Sequence, residues 1–132
     1  MNPVEEVFGE VIDRYTRAQA IEDGYLVDVS KSEEAVEAGF RCPVALSRAV
    51  WTKYVEVPEG VYGQDQKGRL WDILYIFSIA ARSHRQSDTM YFQLHVRNNN
   101  KEGLPPLVTL KGICGPGDDG EPVVTILEQF ED

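Results

Sequence analysis

The chain has 132 residues, of which 22 are acidic and 13 are basic, so its formal net charge is −9. This length suits one domain with a sizeable core, and 42% apolar with 27% charged residues is an ordinary globular composition. Residues 73–81 form the longest apolar stretch, which is too short to span a membrane, and the first residues lack the features of a secretory signal. The negative net charge disfavours binding to the phosphate backbone of a nucleic acid. We therefore expect a single cytoplasmic domain, residues 1–132, that binds neither membranes nor nucleic acid directly.

The N-terminal quarter predicts short helices followed by a strand. Residues 5–24 have helical periodicity but are interrupted, because Thr16 and Gln19 have the spacing of a capping box that begins a second helix. Gly24 favours the end of that helix, since a residue without a Cβ suits a left-handed C-cap. Residues 25–29 then alternate in the manner of a strand.

Two further helices are predicted before residue 60. Ser30 and Glu33 repeat the capping-box spacing, which predicts a short acidic helix over residues 31–38. Residues 45–55 place apolar side chains at three- and four-residue spacings, which predicts an amphipathic helix.

The strongest helical prediction covers residues 68–83, with Asp65 as its N-cap. Apolar side chains surround this segment on nearly every side, and such a helix belongs in the middle of a fold. We therefore expect Ile73, Phe77 and Ile79 to be buried, with the sheet on one side of the helix and the N-terminal helices on the other.

Strand patterns dominate the last third of the chain. Residues 90–96 alternate apolar and polar side chains, and residues 107–114 and 122–127 are joined by a turn rich in glycine and aspartate. Short connections favour an antiparallel meander of these three strands, to which residues 25–29 are a candidate addition. The predicted class is α+β, with the N-terminal helices and one central helix on a small antiparallel sheet.

The sequence offers no catalytic, cofactor or metal signature. His84 and His95 have no metal-ligand partner at a characteristic spacing, and Cys42 and Cys114 are interpreted as reduced thiols in apolar settings. The acidic turn at residues 118–121 lacks the regular spacing of a calcium loop and is interpreted as a turn. We expect no cofactor, no metal and no catalytic residue, although this does not decide whether the protein is an enzyme.

Several charged and aromatic residues lie beside predicted core elements and form a candidate pocket or partner-binding site. Trp71 lies between Arg69 and Asp72 at the start of the predicted central helix, and Trp51 beside Arg48 is a candidate interface anchor. Core packing with local ion pairs is the alternative interpretation of these residues. The candidate set is Arg17, Asp28, Arg48, Trp51, Arg69, Trp71 and Asp72.

Stretches along nearly the whole chain resemble a family of small uncharacterised proteins, a domain of unknown function carried by plasmids, phages and other mobile elements. They are residues 15–24, 26–30, 37–40, 43–46, 48–51, 68–72 and 115–123. The resemblance implies an accessory gene of a mobile element, which often acts on host defence or on maintenance of the element. It implies no catalytic residue.

Three functional hypotheses remain open. The first is a non-enzymatic accessory protein that binds a host-encoded or element-encoded protein, with imitation of nucleic acid by its acidic groups as one version. The acidic helix predicted over residues 31–38, together with Glu128, Glu131 and Asp132, favours that version. The second is a ligand-binding or enzymatic domain with a pocket near Arg69, and the third is a self-associating module.

Overall fold

The computed structural model describes residues 15–132. In this range the elements are α1 (Arg17–Glu22), β1 (Leu26–Asp28), α2 (Glu33–Glu37), β2 (Val44–Ser47), α3 (Arg48–Val50), a π-helical turn (Trp51–Val55), α4 (Gln66–Ser83), β3 (Thr89–His95), β4 (Leu107–Pro116) and β5 (Pro122–Glu128). The predicted α+β class is confirmed. The part of the first predicted helix that covers residues 5–14 lies outside the described residues.

The described strands form one five-stranded sheet in the order β1-β2-β5-β4-β3. Strands β3, β4 and β5 pair antiparallel, which confirms the predicted meander. The contribution of β1 is confirmed as well, but β1 joins the sheet through β2. Because β2 runs parallel to β5, the sheet is mixed and not purely antiparallel as predicted.

The predicted helix over residues 45–55 is wrong in its first part. Val44–Ser47 is a strand whose residues are all buried, with β1 on one side and β5 on the other. A strand buried on both faces shows no alternation of polarity, so its apolar run blends with the pattern of the following helix. Helix α3 begins at Arg48, where the Ser47 hydroxyl accepts the backbone N–H of Val50 at 3.2 Å.

The predicted capping box at the start of α1 is confirmed. The Gln19 backbone N–H donates to Thr16 Oγ1 at 3.0 Å, and the Thr16 backbone N–H donates to Gln19 Oε1 at 2.9 Å. The chain leaves this helix through Gly24, whose φ of 86° is strained for residues that carry a Cβ.

The capping box predicted for α2 is wrong. The N-cap is Ser32, whose hydroxyl accepts the backbone N–H of Ala35 at 3.1 Å. Ser30 is occupied elsewhere, since its hydroxyl accepts the backbone N–H of Val44 at 2.9 Å. Ser30 therefore joins the chain after β1 to the start of β2.

Helix α4 covers one face of the sheet. The predicted N-cap is confirmed, because Asp65 Oδ1 accepts the backbone N–H of Gly68 at 2.6 Å. The buried Phe77 ring lies between Phe40, stacked at 6.0 Å between ring centroids, and Phe92, edge-on at 5.6 Å. Such aromatic contacts add to the stabilisation from apolar burial, so this cluster fixes α4 on the sheet.

The expectation that α4 is buried all round is wrong. Ile73 and Phe77 are 1% and 2% exposed, but Ile79 is 43% exposed on the opposite side of the helix. Helix α2 packs along the flank of α4, and α1 packs on β1, so neither N-terminal helix covers that outer side. The outer face of α4 therefore carries apolar side chains into solvent.

Candidate functional site

The structure does not bring the candidate residues into one pocket. On α1, Arg17 donates to Thr125 Oγ1 at 2.6 Å and to the Val124 carbonyl at 2.8 Å. Side chains alternate along β5, so Thr125 faces away from the core that contains Val124 and Phe77. Arg17 therefore lies on the outer face of the sheet, whereas the candidates on α4 lie on the other face.

Carboxylates surround Arg17 and hold the start of α1. The carboxylate of Asp118 accepts the backbone N–H groups of Arg17 and Ala18 at 2.8 and 3.0 Å. Burial lowers the pKa of Arg17, while the charges of Asp28 and Asp118 act in the opposite direction. Arg17 and Asp28 thus lie close enough for their charges to interact, and Asp118 attaches the start of α1 to the β4–β5 turn.

Arg69 lies in a buried setting and holds three segments together. Only 6% of the residue is exposed. Its guanidinium donates to the carbonyls of Tyr54 at 3.0 Å and Arg97 at 2.6 Å, and to Asn98 Oδ1 at 2.7 Å. Burial lowers its pKa. Among residues 15–132 it forms no ion pair, so backbone and amide oxygens alone satisfy this cation.

Asp72 lies near Arg69 at a very small cavity. Both residues line it together with Tyr54, Gln64 and His95, and its volume is about 20 Å³, room for about one water molecule. Asp72 is an exposed residue, but partial burial of its carboxylate, and then the charge of Asp65, raises the pKa of Asp72. The expected ion pair between Arg69 and Asp72 does not form, because the guanidinium is directed to the carbonyls.

Arg48 and Trp51 make local contacts around α3. Arg48 Nε donates to the Gly24 carbonyl at 2.9 Å, and its backbone N–H donates to the Tyr25 carbonyl at 2.8 Å. Trp51 Nε1 donates to Glu56 Oε2 at 3.1 Å across the π-helical turn. These contacts tie α3 to the start of β1 and close the turn, and neither side chain bonds to Arg17 or Arg69.

Trp71, itself half-buried, belongs to a partly exposed aromatic surface that the sequence did not reveal. Its indole stacks on the Tyr75 ring with 4.5 Å between centroids and 11° between planes. Tyr75 is 38% exposed, and Ile79 lies one turn further along the same side. We call Trp71, Tyr75 and Ile79 the α4 ridge. Their i, i+4, i+8 spacing was the available signal, but it was hidden because the opposite face of the helix is apolar too.

Metal-ligating side chains do not cluster in the described part of the chain. No group of three or more His, Cys, Asp or Glu residues within 15–132 is arranged to hold an ion. His84 Nδ1 lies 2.9 Å from the Ala80 carbonyl, and His95 Nδ1 lies 2.8 Å from the Pro105 carbonyl. Cys42 and Cys114 are free, half-buried thiols.

The fold and these surfaces define a small acidic α+β protein with an aromatic ridge exposed on its longest described helix. A model of a family of unknown function, DUF6573, matches residues 2–132, so the chain belongs to this family. Neither the curated proteins nor the solved structures contain a significant match. Among residues 15–132, each helix is too short or too polar to cross a membrane.

Proposed function

We propose that this protein acts by binding another protein, and that the α4 ridge is the contact surface. The half-buried Trp71 indole, stacked on the exposed Tyr75 ring and extended by the exposed Ile79, carries the proposal. Aromatic side chains of this kind lose little conformational entropy on binding and bury a large area, so they often dominate the energy of protein interfaces. The other face of α4 anchors the ridge on the sheet, which makes it a rigid surface.

The charge of the protein favours a partner with a basic surface. The formal net charge is −9, and α2, which packs along the flank of α4, exposes Glu33 and Glu37. Lys67, one turn before Trp71, lies 3.7 Å from Glu33, so the charge of this lysine is partly neutralised. Complementary charge steers association and selects partners. We therefore expect the binding surface of the partner to be an apolar patch framed by lysines or arginines.

The biological setting is part of the same proposal. The resemblance to proteins of plasmids and phages favours a host-defence or maintenance factor as the partner. A protein that normally binds nucleic acid would offer the required basic surface, and imitation of its ligand is then one mode of action.

A comparison of captured proteins tests the proposal. Wild-type protein, the ridge double variant Tyr75→Gln/Ile79→Gln and the control Tyr91→Gln are used to capture proteins from a host lysate. Tyr91 is exposed on β3 and outside the ridge. A genuine partner is retained by wild type and by the control, is lost from the ridge variant, and binds more weakly as salt rises. If no captured protein distinguishes the ridge variant from the control, the proposal is wrong.

Two alternatives are kept as separate proposals. A ligand-binding or enzymatic site near Arg69, Trp71 and Asp72 draws support from the raised pKa of Asp72, but its cavity of about 20 Å³ would have to open to admit a substrate. Self-association through the ridge draws support from the same exposed apolar surface. Sedimentation over a hundredfold dilution separates self-association from the other two proposals, since only self-association requires a dimer that the ridge variant loses.

A further inference from the structure

A groove separate from the α4 ridge lies between the chain that follows α2 and the C-terminal half of α4. Its volume is about 240 Å³, just below the usual range for small-molecule sites. The lining is mainly apolar and comes from both segments and from the sheet beneath them: Ala38, Phe40, Cys42, Phe77, Ala81 and Cys114. A groove of this size and composition suits a compact apolar group.

Two arginines line this groove with guanidinium groups that make no polar contact within residues 15–132. Arg41 and Arg82 are both exposed. Neither guanidinium makes a hydrogen bond or ion pair with any other of the described residues. By contrast, Arg17, Arg48 and Arg69 each donate to backbone carbonyls. Two unpaired guanidinium groups on one groove of a chain with net charge −9 form a local site for an anion.

The two thiols add no negative charge of their own to this anion site, and the nearby acidic group is Asp88, whose charge acts on Cys114. Burial raises the pKa of Cys42 and of Cys114, so both are neutral thiols at neutral pH. A neutral thiol behaves as a small apolar group in packing. The groove therefore combines an uncharged floor with positive charge from Arg41 and Arg82.

We propose that this groove binds a small monocarboxylate with an aromatic body. The carboxylate pairs with Arg41 and Arg82, and the body lies against Phe40 and the thiols. Guanidinium groups match the planar, bidentate geometry of a carboxylate. A more highly charged ligand such as a polyphosphate fits less well, because an apolar groove offers nothing in place of its hydration.

Titration of the ¹⁵N-labelled protein with 4-phenylbutyrate, followed by NMR, tests the site. We expect saturable shifts in the amides of residues 39–42 and 78–82. The uncharged 4-phenylbutanamide is expected to bind at least about tenfold more weakly, because it lacks the charge-assisted bonds to the arginines. Saturating 4-phenylbutyrate is also expected to slow alkylation of Cys42 and Cys114 by iodoacetamide several-fold.

Arginine variants distinguish binding of 4-phenylbutyrate in this groove from nonspecific binding to positive charge elsewhere on the surface. Arg41→Gln/Arg82→Gln is expected to weaken 4-phenylbutyrate binding about tenfold or more, whereas Arg85→Gln, an exposed arginine outside the groove, leaves it unchanged. Since these guanidinium groups make no hydrogen bond or ion pair within residues 15–132, the spectra of all variants should otherwise match wild type. Shifts that do not saturate, shifts centred elsewhere, or equal affinity of the double variant and wild type would overturn the proposal.

Discussion

The ring of Phe77 lies directly against the backbone of Gly112, in the space that a side chain on β4 would occupy. A Cβ at position 112 would overlap the ring carbons Cε1 and Cδ1. The ring has little room to move, since it is 2% exposed and lies between Phe40 and Phe92. The close approach of α4 to the sheet thus depends on a glycine at this one position of the strand.

Gly112→Ala is therefore expected to destabilise the protein by about 1–3 kcal/mol, the usual cost of overpacking a tight core. Chemical denaturation measures this cost directly. Gly115→Ala is the matched control, because it lies on the same strand and a Cβ there meets nothing within 4 Å. Equal effects of the two substitutions would show that the packing of Phe77 on Gly112 is looser than described.

Replacement of Arg69 tests whether its buried hydrogen bonds stabilise the fold. Arg69→Leu leaves the carbonyls of Tyr54 and Arg97 without their donor, and a loss of about 3 kcal/mol in the free energy of unfolding is expected. Arg69→Lys should recover little of the lost stability, because an ammonium group lacks the planar guanidinium fork that reaches separate acceptors. Arg48→Leu, an exposed arginine with one side-chain bond to the Gly24 carbonyl, should cost below about 1 kcal/mol.

Two isoleucines on α4 provide a direct comparison of its buried and exposed faces. Ile73→Gln places an amide at a site that is 1% exposed, and a loss of more than about 3 kcal/mol is expected. Ile79→Gln alters a side chain that is 43% exposed, so the stability should stay within about 0.5 kcal/mol of wild type. Thermal melts of both variants check this difference. A large loss for Ile79→Gln would mean that the ridge is a packing surface.

The pKa of Asp72 gives a pH dependence with a definite sign. Burial and the charge of Asp65 raise this pKa, so ionised Asp72 is disfavoured in the folded protein relative to the unfolded chain. The resulting destabilisation is complete above the folded-state pKa and vanishes as the pH falls to the unfolded value, about 3.9. Asp72→Asn should therefore be more stable than wild type at about pH 7 and equal to it at about pH 3.

Denaturation of wild type and Asp72→Asn across this range is the measurement. Asp119→Asn, which removes an exposed carboxylate from the β4–β5 turn, controls for the change in net charge. The prediction would be contradicted if the gain in stability of Asp72→Asn over wild type grew towards acid pH. It would also be contradicted if Asp119→Asn gave the same gain.

Elements with a distinctive local pattern could be predicted from the sequence. Strand β3 follows from alternation, β5 from its apolar run after a turn rich in glycine and aspartate, and α4 from its long apolar helical segment. Asp65 and Thr16 cap their helices as expected. Strand β2 could not be predicted, because its burial on both faces removes the alternation and its partner β5 lies about 80 residues away in the chain.

The candidate site was predicted only in part, because closeness in the sequence does not show in which direction each side chain points. Arg69 and Asp72 do lie together, but the guanidinium turns towards carbonyls of the π-helical turn and of the chain after β3. The sequence pattern marks Trp71 as a candidate, but it predicts that Ile79 is buried and gives no prediction for Tyr75. On a helix with apolar residues on all sides, only tertiary packing decides which side stays in solvent.

The order of the strands has a consequence for synthesis. Strand β5 is the last of the described strands to leave the ribosome, yet it lies in the centre of the sheet and joins β1-β2 to β4-β3. Until residue 128 has emerged, the nascent protein holds the strand pairs β1-β2 and β4-β3, each with an edge whose backbone groups are unpaired. A stop codon before Val124 would leave these two pairs permanently separate. Chaperones that shield such edges are thus expected to bind during translation and to leave once β5 pairs with β2.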